Sequence, residues 1–233
     1  MILDMIYPPR CPICHDIIDA GYEMICAKCV KMLPVLPDHC CKKCGKPIPE
    51  LENYCHDCKV GEHEFTQGVS VFLYDEIMRA SIAYFKYLGR REYGKFYAAS
   101  IWKYRKQALS LWKAEVIVPV PVHSSRKAVR GYNQAEVIAK ELGEYMNLPV
   151  VIDAVIRCGK TKAQKELTPE ERKKNLQNAF AKGKNPFPWK RVLLIDDIYT
   201  TGSTVDAVTR VLKALGGEQI YVVSVCIGRG FVV

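Results

Sequence analysis

The chain has 233 residues, enough for one medium domain or for a medium domain plus a small one. It is 49% hydrophobic and 10% aromatic, which can support a core, and no apolar run approaches the roughly 20 residues of a bilayer span, so insertion in a membrane is not expected. The net charge of +9 is uneven: residues 1–66 carry 7 Lys+Arg against 10 Asp+Glu, net −3, and the remainder carries 27 against 15, net +12. A basic domain attracts phosphate, on a small ligand or on nucleic acid. The acidic leading part argues against a nucleic-acid-binding zinc module with an inert partner domain, and points to protein contact instead. Met1 to Pro9 has no basic n-region and no long apolar stretch, so no signal peptide and a cytoplasmic location are the expectation.

Nine of the eleven cysteines lie between Cys11 and Cys58, a density that argues for metal in a chain expected to stay in a reducing compartment. Eight of these nine fall in pairs: Cys11 and Cys14, Cys26 and Cys29, Cys41 and Cys44, Cys55 and Cys58. The block repeats with a shift of 29 or 30 residues. Two Cys at i and i+3 in a tight turn reach one ion, and two such turns supply a tetrahedron of thiolates. The expectation is a double zinc ribbon over residues 1–65 with two structural zinc ions, although iron can use the same donor set. Sequential pairing (11, 14, 26, 29 and 41, 44, 55, 58) is preferred and a cross-braced pairing stays open. Cys40, His15 and His56 are expected as neighbours of the ligands, Cys226 as core and Cys158 as an exposed thiol.

Residues 66–233 alternate strands with helices. Gly68 to Tyr74 has the pattern of a strand. Residues 76–88 form a helix with Ile77, Ala80, Tyr84 and Leu88 on one face, and a second helix covers about 92–112. Glu115 to Pro121 is a short apolar strand. Residues 132–146 are an amphipathic helix with Ala135, Ile138, Leu142 and Tyr145 along one side, Val150 to Ile156 is a strand, and 159–175 is polar. Arg191 to Asp197, a following helix and a strand over 219–227 complete the domain. This order predicts an α/β fold, a parallel sheet with helices on both faces.

The segment Val192-Leu-Leu-Ile-Asp-Asp-Ile-Tyr-Thr-Thr-Gly-Ser-Thr204 carries the chemistry. An apolar run this short has the character of a central parallel strand. Asp196 and Asp197 then fall at its carboxyl end, where open α/β sheets bind ligands. Tyr199, Thr200, Thr201, Gly202, Ser203 and Thr204 lead into a helix carried by Val205, Val208, Leu212 and Leu215. A helix start offers free N–H groups and partial positive charge to a phosphate. One hydroxyl would suffice to cap a helix, and this turn has more than capping needs.

Two other segments face phosphate. Pro119 to Glu136 follows a strand and precedes a helix, with His123, Arg126, Lys127 and Arg130 supplying charge and Asn133 and Gln134 supplying amide donors, a bed for pyrophosphate. Arg157, Lys160 and Gln164 begin a stretch, with Thr161, Arg172 and Asn175 further on, suited to a mobile loop that closes over the ligand. Gly159-Lys-Thr161 is not the end of a P-loop, because Ala154 stands where that motif needs glycine.

The acidic-Thr-Gly-Ser segment resembles the 5-phosphoribosyl-1-pyrophosphate (PRPP) loop of type I phosphoribosyltransferases. That resemblance implies that Asp196 and Asp197 hold the ribose hydroxyls and that the turn wraps the 5′-phosphate. Together with the cysteine pairs, Tyr74 and Phe85-Lys86-Tyr87, the Val-Pro-Val-Pro strand with Arg130-Gly-Tyr-Asn-Gln134, the Arg157…Thr161…Gln164…Arg172…Asn175…Phe180 series and the acidic loop, the chain resembles the ComF-type competence-protein family. Tyr132 departs slightly, standing where Phe is common. The resemblance implies a double zinc ribbon joined to a type I phosphoribosyltransferase fold, PRPP with Mg²⁺ in the pocket, and a role in DNA uptake beside a helicase-like ATPase. It also implies single-stranded DNA as a partner, for which residues 84–106 (Lys86, Tyr87, Arg90, Arg91, Tyr93, Lys95, Tyr97, Trp102, Lys103, Tyr104, Arg105) offer basic and aromatic groups, although aromatics at helical spacing are more often core. The alternative is a working phosphoribosyltransferase that moves ribose 5-phosphate onto an unidentified acceptor.

Overall fold

The computed structural model describes residues 8–18, 24–158 and 179–229. Its centre is a four-stranded sheet, all parallel, in the order β1 (Gln67–Leu73), β6 (Gln219–Ile227), β5 (Arg191–Tyr199), β2 (Val116–Pro119). The β5 residues Val192 to Ile195 are fully buried, as a strand covered on both faces requires. Helices α3 (Glu76–Tyr87), α4 (Tyr93–Trp112) and α6 (Gln134–Met146) cover one face, packing Ile82, Phe85, Tyr97, Ile138 and Leu142 against Leu193, Ile195 and Val223. The other face meets α7 (Ser203–Ala214) through Val205, Val208 and Leu212, with a small antiparallel pair, β3 (Val155–Arg157) and β4 (Phe180–Lys182), beside it.

The two cysteine knuckles share one local design. Cys11 N–H donates to Asp16 O and Cys41 N–H to Lys46 O; His15 N–H donates to Cys11 O and Gly45 N–H to Cys41 O. Each knuckle is closed by a residue with positive φ, His15 at 66° and Gly45 at 79°. Each second pair then opens a short helix, α1 (Ala27–Val30) after Cys26 and α2 (His56–Val60) after Cys55. The knuckles straddle the sheet: the first packs with the α3–α4 face, the second with the α7 face. Between them residues 34–36 run along the free edge of β1, where Leu36 N–H donates to Val71 O and Leu73 N–H to Pro34 O. The opposite edge is covered as well, since Ile117 N–H donates to Pro149 O and Val151 N–H to Ile117 O. Both edges are thus closed to strand addition.

Several expectations change. The buried side of α3 is Met78, Ser81, Ile82 and Phe85; Ile77 and Tyr84 are half-buried and Leu88 is exposed. The buried positions keep helical spacing on a face turned from the expected one, with Glu76, Arg79 and Tyr87 exposed on the other side; the polar Ser81 in the middle of that face, its hydroxyl bonded to Tyr97, masks it in the pattern. Tyr145 likewise stays exposed while Ala139 and Gly143 are buried on α6. Val150 to Ile156 is not one strand: Val150 makes a single parallel bridge to Ile117, Asp153 sits in a bend, and Val155 starts β3. Asp favours turns over strand interiors because its carboxylate competes for nearby N–H groups. A helix not expected, α5 (Ser124–Arg130), lies inside the basic segment with no buried residue. Residues 84–106 do not form one open stripe: Tyr93 and Tyr97 are core, Trp102 stacks on Tyr145, and Arg105 donates to the Ser70 and Leu36 carbonyls. Tyr87, Arg91, Lys95 and Lys103 remain exposed.

Candidate ligand hollow and metal knuckles

The candidate site lies where adjacent strands stop at different heights. β2 ends at Pro119, opposite Ile195, and Val120 N–H still donates to Ile195 O at 2.8 Å. β5 continues to Tyr199, because β6 runs on to Ile227 and keeps it paired. Asp196 and Asp197 therefore lie inside β5, beyond the end of β2, rather than after the strand. They open onto the gap left by the shorter neighbour.

Asp196 accepts from the Asp197 N–H at 2.9 Å, and Asp197 pairs with Lys86 Nζ at 2.6 Å. Burial pushes the Asp196 carboxyl up to about 8, and the neighbouring Asp197 charge adds to the shift while Lys86 opposes it. Lys86 has no local signal in sequence pointing to this role. It is the last basic residue of α3, and its partner lies 111 positions away.

Next comes the turn. Gly202 has φ 79° and stands at the N-cap of α7, and no side chain caps the helix. Thr201 and Ser203 hydroxyls bond each other at 2.9 Å, so neither is used for capping. The first N–H groups of α7 are left for a ligand, although hydroxyl-bearing neighbours surround them. Only glycine fits: a Cβ at 202 would lie 2.5 Å from Tyr199 Oη and 2.8 Å from His63 Cε1.

The basic segment rises from the end of β2 beside the acids. His123 caps α5, its Nδ1 accepting from Ser125 N–H at 3.2 Å, and Arg126 is exposed. Arg130 stacks over the Tyr87 ring at 5.1 Å and donates to Gln134 Oε1 at 3.1 Å. Lys127 pairs with Glu136 at 3.1 Å. Asn133 and Gln134, expected as phosphate donors, are buried and already engaged: Asn133 caps α6 and donates to Val120 O, and Gln134 donates to Phe85 O. They shape the loop. Tyr199, expected at the phosphate, lies buried beneath the turn. Arg157 ends β3, and its Nε has no partner among the described residues. Burial holds this guanidinium below its usual range, with Arg126 adding to the shift and Asp196 opposing it. Lys160, Thr161, Gln164, Arg172 and Asn175 lie outside the described residues.

The cysteines gather sequentially, as Cys11, Cys14, Cys26, Cys29 and as Cys41, Cys44, Cys55, Cys58, with the ligand sulfurs of each set within 4.8 Å of one another. A zinc tetrahedron with bonds of about 2.3 Å has edges of about 3.8 Å. The Cys14–Cys26 and Cys44–Cys55 sulfurs are 3.9 and 3.6 Å apart. Both sets fit structural zinc, with no position left for a reacting ligand. Cys40 stays outside, its Sγ donating to Pro37 O. Cys226 is buried and Cys158 exposed.

Comparison with known proteins agrees with this architecture. The double zinc ribbon domain family matches residues 2–59 and the phosphoribosyl transferase domain family matches residues 127–230. The class is therefore a zinc ribbon joined to a parallel-sheet phosphoribosyltransferase-like domain. Competence protein F of Haemophilus influenzae is 40% identical over 119 residues, 50% of this chain and 52% of that protein. DNA utilization protein YhgH of Escherichia coli K12 is 33% identical over 110 residues, 47% and 48% of the two chains. Competence protein ComFC of Streptococcus pneumoniae is 28% identical over 152 residues, 65% and 64%. The chain thus carries a double zinc ribbon followed by a phosphoribosyl transferase domain and is similar to competence and DNA utilization proteins. The matched region spans about half the length of the first two relatives.

Proposed function

We propose that the hollow binds PRPP together with Mg²⁺ and that the chain serves DNA uptake from the cytoplasmic side. The observation that carries this reading is the uncapped N-terminus of α7 directly after two adjacent carboxylates. Main-chain N–H groups of Ser203 and Thr204, with the Thr200, Thr201, Ser203 and Thr204 hydroxyls, suit a phosphate monoester. Asp196 and Asp197 suit ribose hydroxyls, and their oxygens are the hard donors that Mg²⁺ takes alongside substrate oxygens. His123, Arg126, Arg130 and Arg157 suit the pyrophosphate, and Lys160 and Gln164 belong to the loop proposed to close over it.

Calorimetric titration with PRPP and Mg²⁺ tests this. Saturable binding is expected, lost in the Asp196→Asn/Asp197→Asn double variant; folded wild-type protein that gives no binding heat would sink it. Arg157, whose Nε has no hydrogen-bond partner among the described residues, favours a second reading, a working transferase, because such a cation suits a departing pyrophosphate. Base-dependent pyrophosphate release is the result that reading requires. The DNA-uptake role rests on the competence and DNA-utilization names of the relatives, and a helicase-like ATPase beside it is proposed on the family resemblance of the sequence alone. Shift of single-stranded oligonucleotides that weakens as salt rises is the corresponding result, with exposed Tyr87 and Lys95 as the first residues to substitute.

A further inference from the structure

We propose that His63 is a positioning residue that fastens the second metal knuckle to the sugar-phosphate turn, a role that rests on the PRPP reading for its functional meaning. His63 belongs to the segment leaving the second knuckle, yet its side chain is only 8% exposed. Its Nδ1 lies 2.8 Å from Asp206 Oδ2 and its Nε2 lies 3.3 Å from Tyr199 Oη. A carboxylate only accepts, so Nδ1 carries the proton, and Nε2 is left to accept from the Tyr199 hydroxyl. Asp206 stands in the first turn of α7, where its other oxygen accepts from Glu64 N–H at 2.9 Å. Tyr199 ends β5. One imidazole thus ties together the strand before the turn and the helix after it.

The same ring forms the floor under Gly202: the space where a Cβ would stand is taken by Tyr199 Oη and His63 Cε1. On its far side His63 stacks on Phe65, with centroids 5.0 Å apart. Phe65 packs in the cluster that holds Cys41, Cys44 and Cys55, and its carbonyl accepts from Lys43, which lies between those cysteines. The first knuckle has no such route among the described residues. Its His15 reaches Tyr93 and Tyr84, on the opposite face of the sheet. The shape of the turn is therefore set by the second knuckle, through His63.

His63→Ala, His63→Asn and His63→Gln in the full chain test the assignment. Asn retains a donor for Asp206, whereas Gln reaches the Tyr199 side. Three readouts are taken on zinc-loaded protein: zinc content, hydrogen exchange of the Asp206 amide, which donates to Gly202 O, and of the Glu64 amide, which donates to Asp206, and the Kd for PRPP with Mg²⁺. We expect two zinc ions per chain in every variant, exchange at these two amides about tenfold faster in Ala with Kd raised about tenfold, and most of both recovered in Asn. Exchange and Kd unchanged in Ala, or Asn no better than Ala, would overturn the role. If Ala does not fold, the Asn and Gln variants carry the comparison against wild type, and turn protection unchanged in both Asn and Gln overturns it. Wild-type protein that fails to bind PRPP removes the ligand reading alone, because the exchange rates still decide what His63 holds.

Discussion

At the scale of single residues, Asp196 gives the sharpest expectation. In the folded chain its carboxyl keeps its proton up to about 8, whereas an unfolded chain gives it up near 4. Between those values the unfolded state binds fewer protons, so this residue makes stability fall as pH rises and contributes no penalty below about 4. Asp196→Asn keeps the acceptor for the Asp197 N–H and removes the titration. Thermal melts should show no gain for the variant at pH 4 and a gain of roughly 1–3 kcal/mol at pH 8, after discounting the solvent-facing edge of the carboxylate; parallel curves for the two proteins would mean that Asp196 is ionised throughout. Gly202→Ala should lower the melting temperature and abolish PRPP heat, because the left-handed backbone costs about 1–2 kcal/mol and the methyl group collides with Tyr199 Oη. Unchanged binding would show that the turn has room to move. The acids and the turn were legible in sequence because they are contiguous. Lys86 and His63 were not, since each meets its partner across more than 100 residues, Lys86 from the end of a helix and His63 from a polar stretch that looks like a linker.

At the scale of elements, α4 and α6 cross closely at a glycine. A Cβ on Gly94 would lie 2.4 Å from Val137 Cγ1, inside any tolerable contact. Gly94→Ala should gain about 1 kcal/mol of helix propensity but lose more to overpacking, a net loss of about 1–3 kcal/mol. Val137→Ala in the same chain should restore most of it. A double-mutant cycle by denaturant unfolding measures the coupling, and additive effects would show that the helices separate without cost. Elements with a clear period were legible: β1, α4, β5 and β6 appear within a residue or two of where apolar runs place them. What failed was orientation and pairing. α3 buries Met78, Ser81, Ile82 and Phe85, and the polar Ser81, satisfied by the Tyr97 hydroxyl of α4, masks that face in the apolar pattern. α5 buries nothing, and a helix without a buried face leaves no periodic signal in sequence. Val150 to Ile156 looked continuous, but its two ends pair with different sheets.

At the scale of the molecule, the double ribbon is a clamp on the edge of β1, with one knuckle on each face of the sheet and residues 34–36 along the rim. Because each knuckle has little to bury without its ion, chelation should unfold the ribbon and strip the edge of its cover. Zinc removal is therefore expected to produce light scattering and a lower melting temperature for the whole chain, not a quiet loss of one module. A chelated protein that stays monodisperse with the original transition would contradict the clamp. The order in which a ribosome delivers these parts adds a consequence. β1 pairs on its inner side with β6, which is made about 150 residues later, whereas the segment 34–36 precedes it. For most of translation the nascent strand has a companion on one flank only, and that companion is folded only while zinc is in supply. Cells starved of the metal should lose this polypeptide to proteases during its birth, before any finished copy has a chance to fail.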